Sequence, residues 1–450
     1  MSVGHKEYSP NNSYNTFSDV LSEVTLPLFN YGMNDNPDQL SVLSLFSGCG
    51  GMDLGFEGHF ICHRRSVPID SPWIERSVNA NWVLLRKNRF NTIFANDILP
   101  EALATWTNYM RRFDKDGTIY HTESLVDLVK AHKNGARIFP DNVDVVTGGF
   151  PCQDFSVAGK RKGFKSDKGH DGKLHDGDLP TEESRGKLYY WMKQVIDITK
   201  PKIFIAENVK GLVSLGDVRD IIQRDFAQAD DDGYIVLHPQ VLHAGNYGVP
   251  ETRERVIFIG IRRNALNPLA LEMLSRDIIP QEYNPYPSPT HNYNVNLKGL
   301  LPPVTCRDVF DGLKEPEESN DLSQKFYSKA KYMGKHCQGQ TEIRLDNLGP
   351  TIRSEHHGNI EFRRLSEENG GVYLDELNQN MLERRLTPRE CALIQTFPPD
   401  YPFVKYKGYD NRRFQVNQSG AYKVIGNAVP PMLAYNIARR LQDLWPLYFD

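Results

Sequence analysis

An apolar run at 40–46 passes without a break into Ser47-Gly-Cys-Gly-Gly51, and then into Met-Asp-Leu-Gly-Phe56. A buried strand, a glycine turn and a helix in that order form the opening unit of a nucleotide-binding α/β domain. Gly48, Gly50 and Gly51 let backbone come close to a ligand, and the helix N-terminus offers free N–H groups. The unit commits the chain to a sheet with crossover helices, because a strand this apolar must be covered on both faces.

The segments that follow keep this alternation. Strands are expected at 92–96, 143–146, 202–206, 234–242 and 255–261. Helices are expected at 100–112, 123–132, 186–199 and about 217–228. The pattern predicts a mostly parallel sheet covered on both faces. Residues 57–91 interrupt it with Arg64, Arg65, Arg76, Arg86, Lys87 and Arg89 and two tryptophans, and read as an insertion. Residues 1–39 are polar and Asn-rich and read as an N-terminal arm. After Arg263 the composition shifts to Pro, Asn, Tyr, His and charge, so 264–383 reads as a loop-rich second domain. Helical signal returns at 387–395 and 430–444. Four parts are expected: an arm (1–39), a large α/β domain (40–263, with insertions near 57–91 and 165–183), a smaller domain (264–383) and C-terminal helices (384–450) that return to the large one.

Several side chains fall where such a sheet does its chemistry. Val145-Val-Thr-Gly-Gly-Phe-Pro-Cys-Gln153 puts Cys152 on a tight Gly/Pro turn just past a buried strand. A thiol held there is open to a ligand, and a nearby helix N-terminus or cation favours its thiolate. Asp97 follows the expected strand 92–96, where a carboxylate can bind two ribose hydroxyls. Glu207 follows the strand 202–206, again at a carboxyl end. Arg253 and Arg255 stand two apart at the entry of a strand, a spacing that turns both guanidinium groups toward one pocket. Gly426-Asn-Ala-Val-Pro-Pro431 marks a helix start.

Composition removes some alternatives. The net charge of −4 does not suit a protein that coats nucleic acid, so any such contact must use a regional patch. The six cysteines (49, 62, 152, 306, 337, 391) form no Cys-x-x-Cys pair, which argues against zinc and against a disulfide framework. No apolar run approaches the ~20 residues of a membrane span. A cytoplasmic chain with no membrane contact is the expectation.

Taken in order, Phe46-Ser-Gly-Cys-Gly-Gly51, Phe150-Pro-Cys-Gln-Asp-Phe-Ser156, Glu207-Asn-Val209, Tyr247-Gly-Val-Pro-Glu-Thr-Arg-Glu-Arg255, Arg385-Leu-Thr-Pro-Arg-Glu390 and Gly426-Asn-Ala-Val-Pro430 resemble the motif series of the DNA (cytosine-5)-methyltransferases. The resemblance runs from about 41 to 444. It implies a Rossmann-like S-adenosylmethionine-dependent methyltransferase sheet with a smaller target recognition domain at 264–383. It also implies a cofactor site built from Phe46, Ser47, Gly48, Cys49, Gly50 and Gly51, with Asp97 on the ribose and Ile98 on the adenine. Ser124, Leu125, Pro151, Leu188, Asn427 and Val429 would complete that site. Cys152 would be the nucleophile, Glu207 would hold N3 and the exocyclic amine of the cytosine, and Arg255 its O2, with Arg253 beside them. Three positions depart from the family: Ser124 stands for its adenine-binding acid, Glu251 for its glutamine, and 165–183 lengthens the loop after Cys152.

The chemistry implied is a thiolate addition at carbon 6 that makes carbon 5 nucleophilic toward a sulfonium methyl, with no metal. The base must leave the duplex to be reached. Lys160, Arg161, Lys162 and Lys165 are candidates for phosphate contacts, and 350–359 for base reading. Double-stranded DNA is the implied partner, with the chain as a monomer and as the modification half of a restriction–modification pair with a cognate endonuclease. Methylation of tRNA cytosine and a catalytically silent DNA-binding role stand as the alternatives.

Overall fold

The structure, a computed structural model, describes residues 38–110, 119–151, 188–214, 217–295, 297–329, 341–354, 361–408 and 413–450. Cys152, the lengthened loop 165–183, the four basic candidates at 160–165, residues 355–359 and nearly all of the arm lie outside these.

The first unit forms as its sequence demands. Strand β1 (Leu40–Leu45) runs through the turn into helix α1 (Gly51–Glu57). An insertion of three short strands follows: β2 (Ile61–His63), β3 (Ile74–Ser77) and β4 (Trp82–Leu85). Then come β5 (Phe90–Asn96), α2 (Pro100–Met110), β6 (Tyr120–His121), α3 (Leu125–Lys133) and β7 (Val145–Gly149). Next are α4 (Leu188–Thr199), β8 (Ile203–Val209), α5 (Val218–Ala227), β9 (Tyr234–Val236), β10 (Gln240–His243) and β11 (Glu254–Arg262).

The sheet order is β10-β11-β8-β7-β1-β5-β6, with β9 also paired to β11. The five strands from β8 to β6 are parallel, and β11 runs antiparallel to β8. Residue parity sends alternate side chains into two cores. Val42, Val145, Ile203, Ile205 and Ile257 enter one; Leu43, Leu45, Val146, Phe204 and Phe258 enter the other. Each such fully buried aliphatic stabilises by about 1.5–3 kcal/mol. From β1 the chain builds outward to β5 and β6, then returns to lay β7 and β8 on the other side. The carboxyl ends of β1 and β7 therefore flank a topological switch point, where open α/β sheets bind ligands.

The insertion is an antiparallel sheet of order β2-β4-β3. Its basic residues are used internally and as braces. Arg64 bonds Ser77, Arg86 Nε donates to the Pro72 carbonyl, and Arg65 pairs with Asp308 at 2.6 Å. His291 Nε2 meets the Arg65 carbonyl at 2.8 Å, so the insertion supports the 291–308 region.

The first part of 264–383 is hydrogen-bonded to the C-terminal segment and to the sheet. Helix α6 (Pro268–Leu274) is capped by Asn267, whose amide also donates to the Leu447 carbonyl. Tyr286 Oη donates to the Ile257 carbonyl in β11. Further on, this stretch is short elements around a buried ion cluster, among them α7 (Cys306–Phe310), α8 (Leu322–Lys325), β12 (Phe362–Arg364) and α9 (Leu374–Asn378). Arg364 and Arg384 both bond Glu315, and Arg384 makes a two-pronged pair with Glu390 (2.8 and 2.9 Å). Burial pushes the Glu315 carboxyl up, but the two guanidinium groups outweigh it and hold it at about 2.

Arg384 lies in β13 (Arg384–Arg385), and Glu390 in α10 (Pro388–Ile394), where Thr387 and Glu390 form a capping box. After the hairpin of β14 (Lys405–Tyr406) and β15 (Phe414–Val416) come α11 (Gln418–Asn427) and α12 (Pro431–Phe449). Helix α12 packs along α1 so closely that a Cβ on Gly55 would stand 2.4 Å from that of Ala434. Among the described residues no helix is long and apolar enough to cross a membrane.

Candidate active site

At the switch point lies a single cavity of about 790 Å³. The turn after β1 forms one wall and is held from all sides. The Ser47 and Asn96 backbones exchange a hydrogen bond at 2.8 Å, and the Ser47 hydroxyl accepts from the Asn96 N–H at 3.1 Å. Tyr120 Oη donates to the Gly48 carbonyl, and Tyr401 Oη to that of Cys49. Gly48 has φ +55, lines the cavity and has open space where a side chain would stand. Gly51 is needed for a different reason: its Cβ would fall 2.2 Å from the Val429 carbonyl oxygen.

Asp97 closes this end. Its carboxylate accepts from the Gly48 N–H (3.1 Å) and the Leu99 N–H (3.0 Å). Burial lifts the carboxyl to about 6, against the pull of those amides and of the Lys423 ammonium. Beside it Ile98 is 43% exposed, unusual for so large an apolar side chain. Ser124, Leu125, Pro151, Leu188, Asn427 and Val429 line the same cavity, as do Phe46, Ser47, Gly48 and Gly51. Ser124 is the N-cap of α3.

At the other end stand Glu207 and Arg255. They come from antiparallel neighbours, where Ile257 faces Glu207 directly and Arg255 lies one step along the same face. Arg255 Nε donates to Glu207 Oε1 at 2.6 Å, and each side chain is only about a tenth exposed (12% and 10%). Gly149, opposite Glu207 on β7, leaves the space its carboxylate fills, since a Cβ there would lie 2.9 Å from Oε2. Asn208 turns the other way and donates from Nδ2 to the Phe150 carbonyl at 3.1 Å. That bond anchors the chain two residues ahead of position 152.

Three expected site residues do not face the cavity. The Cys49 thiol points into the core, 3.3 Å from the Val424 carbonyl, and burial pushes its pKa up. Gly50, with φ +82, backs onto Trp106, where a Cβ would stand 2.7 Å from Cδ1. Arg253 does not converge with Arg255. It precedes the first residue of β11, so strand alternation does not govern it, and it is 1% exposed. Its guanidinium donates to the carbonyls of Ile352, Gly426 and Ala428.

Further residues line the cavity: Thr252, Thr351, Arg353, Ser354 and Lys423. Thr351, Arg353 and Ser354 fall in the stretch 350–359 expected to read bases, and Thr252 in the motif ending at Arg255, but their place on the cavity wall comes from long-range pairing. Lys423 is the one outside the expected stretches; it lies four residues before Asn427, on the same face of one helix.

The family model described as C-5 cytosine-specific DNA methylase matches residues 40–443. Type II methyltransferase M.BsuRI of Bacillus subtilis is 32% identical over 426 residues, covering 92% of this chain and 81% of that one. Type II methyltransferase M.BspRI of Lysinibacillus sphaericus is 30% identical over 434 residues, covering 94% and 86%. Among solved structures, the Entamoeba histolytica methyltransferase EhMeth aligns with a TM-score of 0.51 at 14% identity, over 91% of this chain and 99% of that one. S. pombe Dnmt2 methyltransferase aligns with a TM-score of 0.50 at 16% identity, over 91% and 99%. These two likenesses speak to the fold alone; the match across almost the whole sequence speaks to descent, and by it the chain belongs to the C-5 cytosine-specific DNA methylases.

Proposed function

We propose that this chain methylates carbon 5 of a cytosine in a specific duplex DNA sequence, using S-adenosylmethionine and a covalent step at Cys152 on a base turned out of the helix. One observation carries the reading: a single cavity has a glycine turn and a ribose-competent acid at one end and a clamped Glu–Arg pair at the other.

The residues present fit the cofactor. Gly48 offers room for backbone approach, Asp97 offers a carboxylate for a diol, and exposed Ile98 offers an apolar face for a purine. When bound, S-adenosylmethionine supplies the electrophilic methyl that carbon 5 takes up. The chain's own part is to raise the nucleophilicity of that carbon. The Cys152 thiolate forms a bond to carbon 6, and the ring electrons move toward carbon 5 and N3. Glu207 meets N3 and the exocyclic amine; Arg255 meets O2 and balances the charge that grows there. In a site this shielded such groups act far more strongly than in water. Loss of the carbon 5 proton then restores the ring and expels the thiolate.

The base has to be extruded, at a cost of a few kcal/mol. Residues 264–383 are the proposed target recognition domain, with Arg353 and Ser354 at its edge on the cavity. The relatives' names make a type II modification role the natural setting.

The test is a duplex carrying 5-fluorocytosine throughout one strand of a mixed-sequence library, incubated with enzyme and cofactor. Fluorine at carbon 5 blocks the final elimination, so a covalent adduct should accumulate with the native chain and not with Cys152→Ala. Absence of adduct with both, or methyl incorporation into tRNA and not into DNA, would refute this function.

A further inference from the structure

Two stretches far apart in sequence meet behind the cavity, and one buried side chain joins them. Residues 351–354 border the Glu207–Arg255 end, and 426–429 border the glycine-turn end. Arg253 Nη1 donates to the Ile352 carbonyl at 2.9 Å; Nη2 donates to the carbonyls of Gly426 (3.0 Å) and Ala428 (2.8 Å). Its charge is met by Glu251 at 3.5 Å, which is 0% exposed and accepts the Ile352 N–H at 2.7 Å. The flanks are locked as well. Thr351 Oγ1 donates to the Thr252 carbonyl at 2.7 Å, and Thr252 N–H donates to the Gly349 carbonyl at 2.8 Å.

Contact between the two stretches is as close as backbone allows. A Cβ on Gly426 would lie 2.2 Å from the Arg353 carbonyl carbon. Next to Ala428 on the same run, Val429 presents its carbonyl to Gly51. A displacement at the glycine turn is therefore transmitted through 426–429 and the Arg253 guanidinium to 351–354. From there it reaches Thr252, three residues before Arg255, through the Thr351 hydroxyl. Packed groups like these have few intermediate positions, so they move together or not at all.

We propose that the Glu251–Arg253 pair is a positioning strut that couples the two ends of the cavity, so that filling the cofactor end and filling the base end favour each other. This rests on the function proposed above. Arg253 is a positioning residue and touches neither ligand. A guanidinium suits the place because one planar group reaches three carbonyls at once, which a lysine ammonium on a flexible stem does not.

The test reads a ratio, since a ratio is blind to the fraction of folded protein. Methyl incorporation into unmethylated plasmid DNA from labelled cofactor is measured first. The dissociation constant of S-adenosylhomocysteine is then measured with and without an excess of that DNA. For the native chain the DNA should tighten binding by about tenfold, within the ordinary range of coupling between sites. By reciprocity the cofactor product should tighten DNA binding equally. Arg253→Met should bring the ratio below about twofold while binding of S-adenosylhomocysteine alone persists. Gly426→Ala leaves every Arg253 donor in place but forces the two stretches apart, and should lower the ratio as well; it decides the matter if Arg253→Met does not fold. A native chain that methylates the DNA but shows a ratio near one overturns the strut and leaves the function standing. So does a full ratio in both variants. A native chain that methylates no DNA removes the function, and the coupling with it.

Discussion

Lowering the pH from about 7 to about 5 should weaken cofactor binding about tenfold through Asp97 alone. The carboxylate is held by two backbone amides beside a cavity it only partly faces, and burial lifts it to about 6. A ribose diol donates hydrogen bonds, so it prefers the ionised acid. With a midpoint near 6, about nine tenths of the group is ionised at about pH 7 and about one tenth at about pH 5. Lys423 is the facing cation; Tyr120 and Cys49 also face Asp97, but burial pushes both up and they stay neutral in this window. The effect on the empty fold has the opposite sign. A carboxyl whose folded value lies above its ordinary value of about 3.9 binds more protons folded than unfolded, so its contribution is most favourable below about 4 and is lost as pH rises through about 6. That loss is at most about 3 kcal/mol. Titrating S-adenosylhomocysteine by calorimetry from about pH 8 to about pH 5, with Asp97→Asn in parallel, separates the two. The native chain should lose affinity on acidification, and the variant should be weak and flat. A flat native profile, or the same slope in Asp97→Asn, would refute the assignment of a titrating ribose acid.

Other substitutions probe other parts of the site and its frame. Gly51→Ala meets the Val429 carbonyl at 2.2 Å and should lower both thermal stability and cofactor affinity, whereas Gly48→Ala meets no protein atom, should cost the fold only about 1 kcal/mol of backbone strain, and should cut cofactor affinity by about tenfold because its methyl enters the cavity; equilibrium binding and thermal melts of both variants check the contrast. Asn208→Ala frees the Phe150 carbonyl and should destabilise by about 1–3 kcal/mol while lowering kcat more than it raises the KM for cofactor, as steady-state kinetics would show. Glu390→Ala removes the two-pronged partner of the buried Arg384, leaving it Glu315 alone, and half of the capping box of α10, so urea unfolding should show a loss of about 2–4 kcal/mol.

The four central parallel strands, β8, β7, β1 and β5, were legible because each is an apolar run ending at polar or glycine residues, whereas the edge strand β6 is only Tyr120–His121 and too short to leave a pattern. The insertion was visible as an interruption but not as a sheet, since β3 reads Ile-Glu-Arg-Ser and its pairing to β4 depends on register, not composition. Helix α11 has no local signature, because two glycines and a polar opening lower its propensity; tertiary packing of Ala421, Val424 and Ile425 overrides that. Helix α12 runs past the expected end at 444: Pro446 lies inside it, and burial of Trp445 and Tyr448 carries the helix past the proline to Phe449. Composition marks 264–383 as irregular backbone but does not say what that backbone touches: the α6 cap bonds the Leu447 carbonyl in α12, and Tyr286 bonds the Ile257 carbonyl in β11.

Arg253 shows most plainly where local reading stops. The rule that residues two apart share a face holds only inside a strand, and β11 starts one residue too late for it. What fixes Arg253 is a set of carbonyls 99, 173 and 175 positions away. The same holds for the cavity as a whole. Strand ends supply the groups that do chemistry, and those are written in short motifs. The wall that brings them to a common distance is made of 351–354 and 423–429, whose placement is a property of the packed chain. A substitution that leaves every polar side chain of the site intact can therefore still separate its two ends. For that reason Gly426→Ala, which removes no polar group and adds one methyl, is expected to impair a reaction whose chemical groups are all still present.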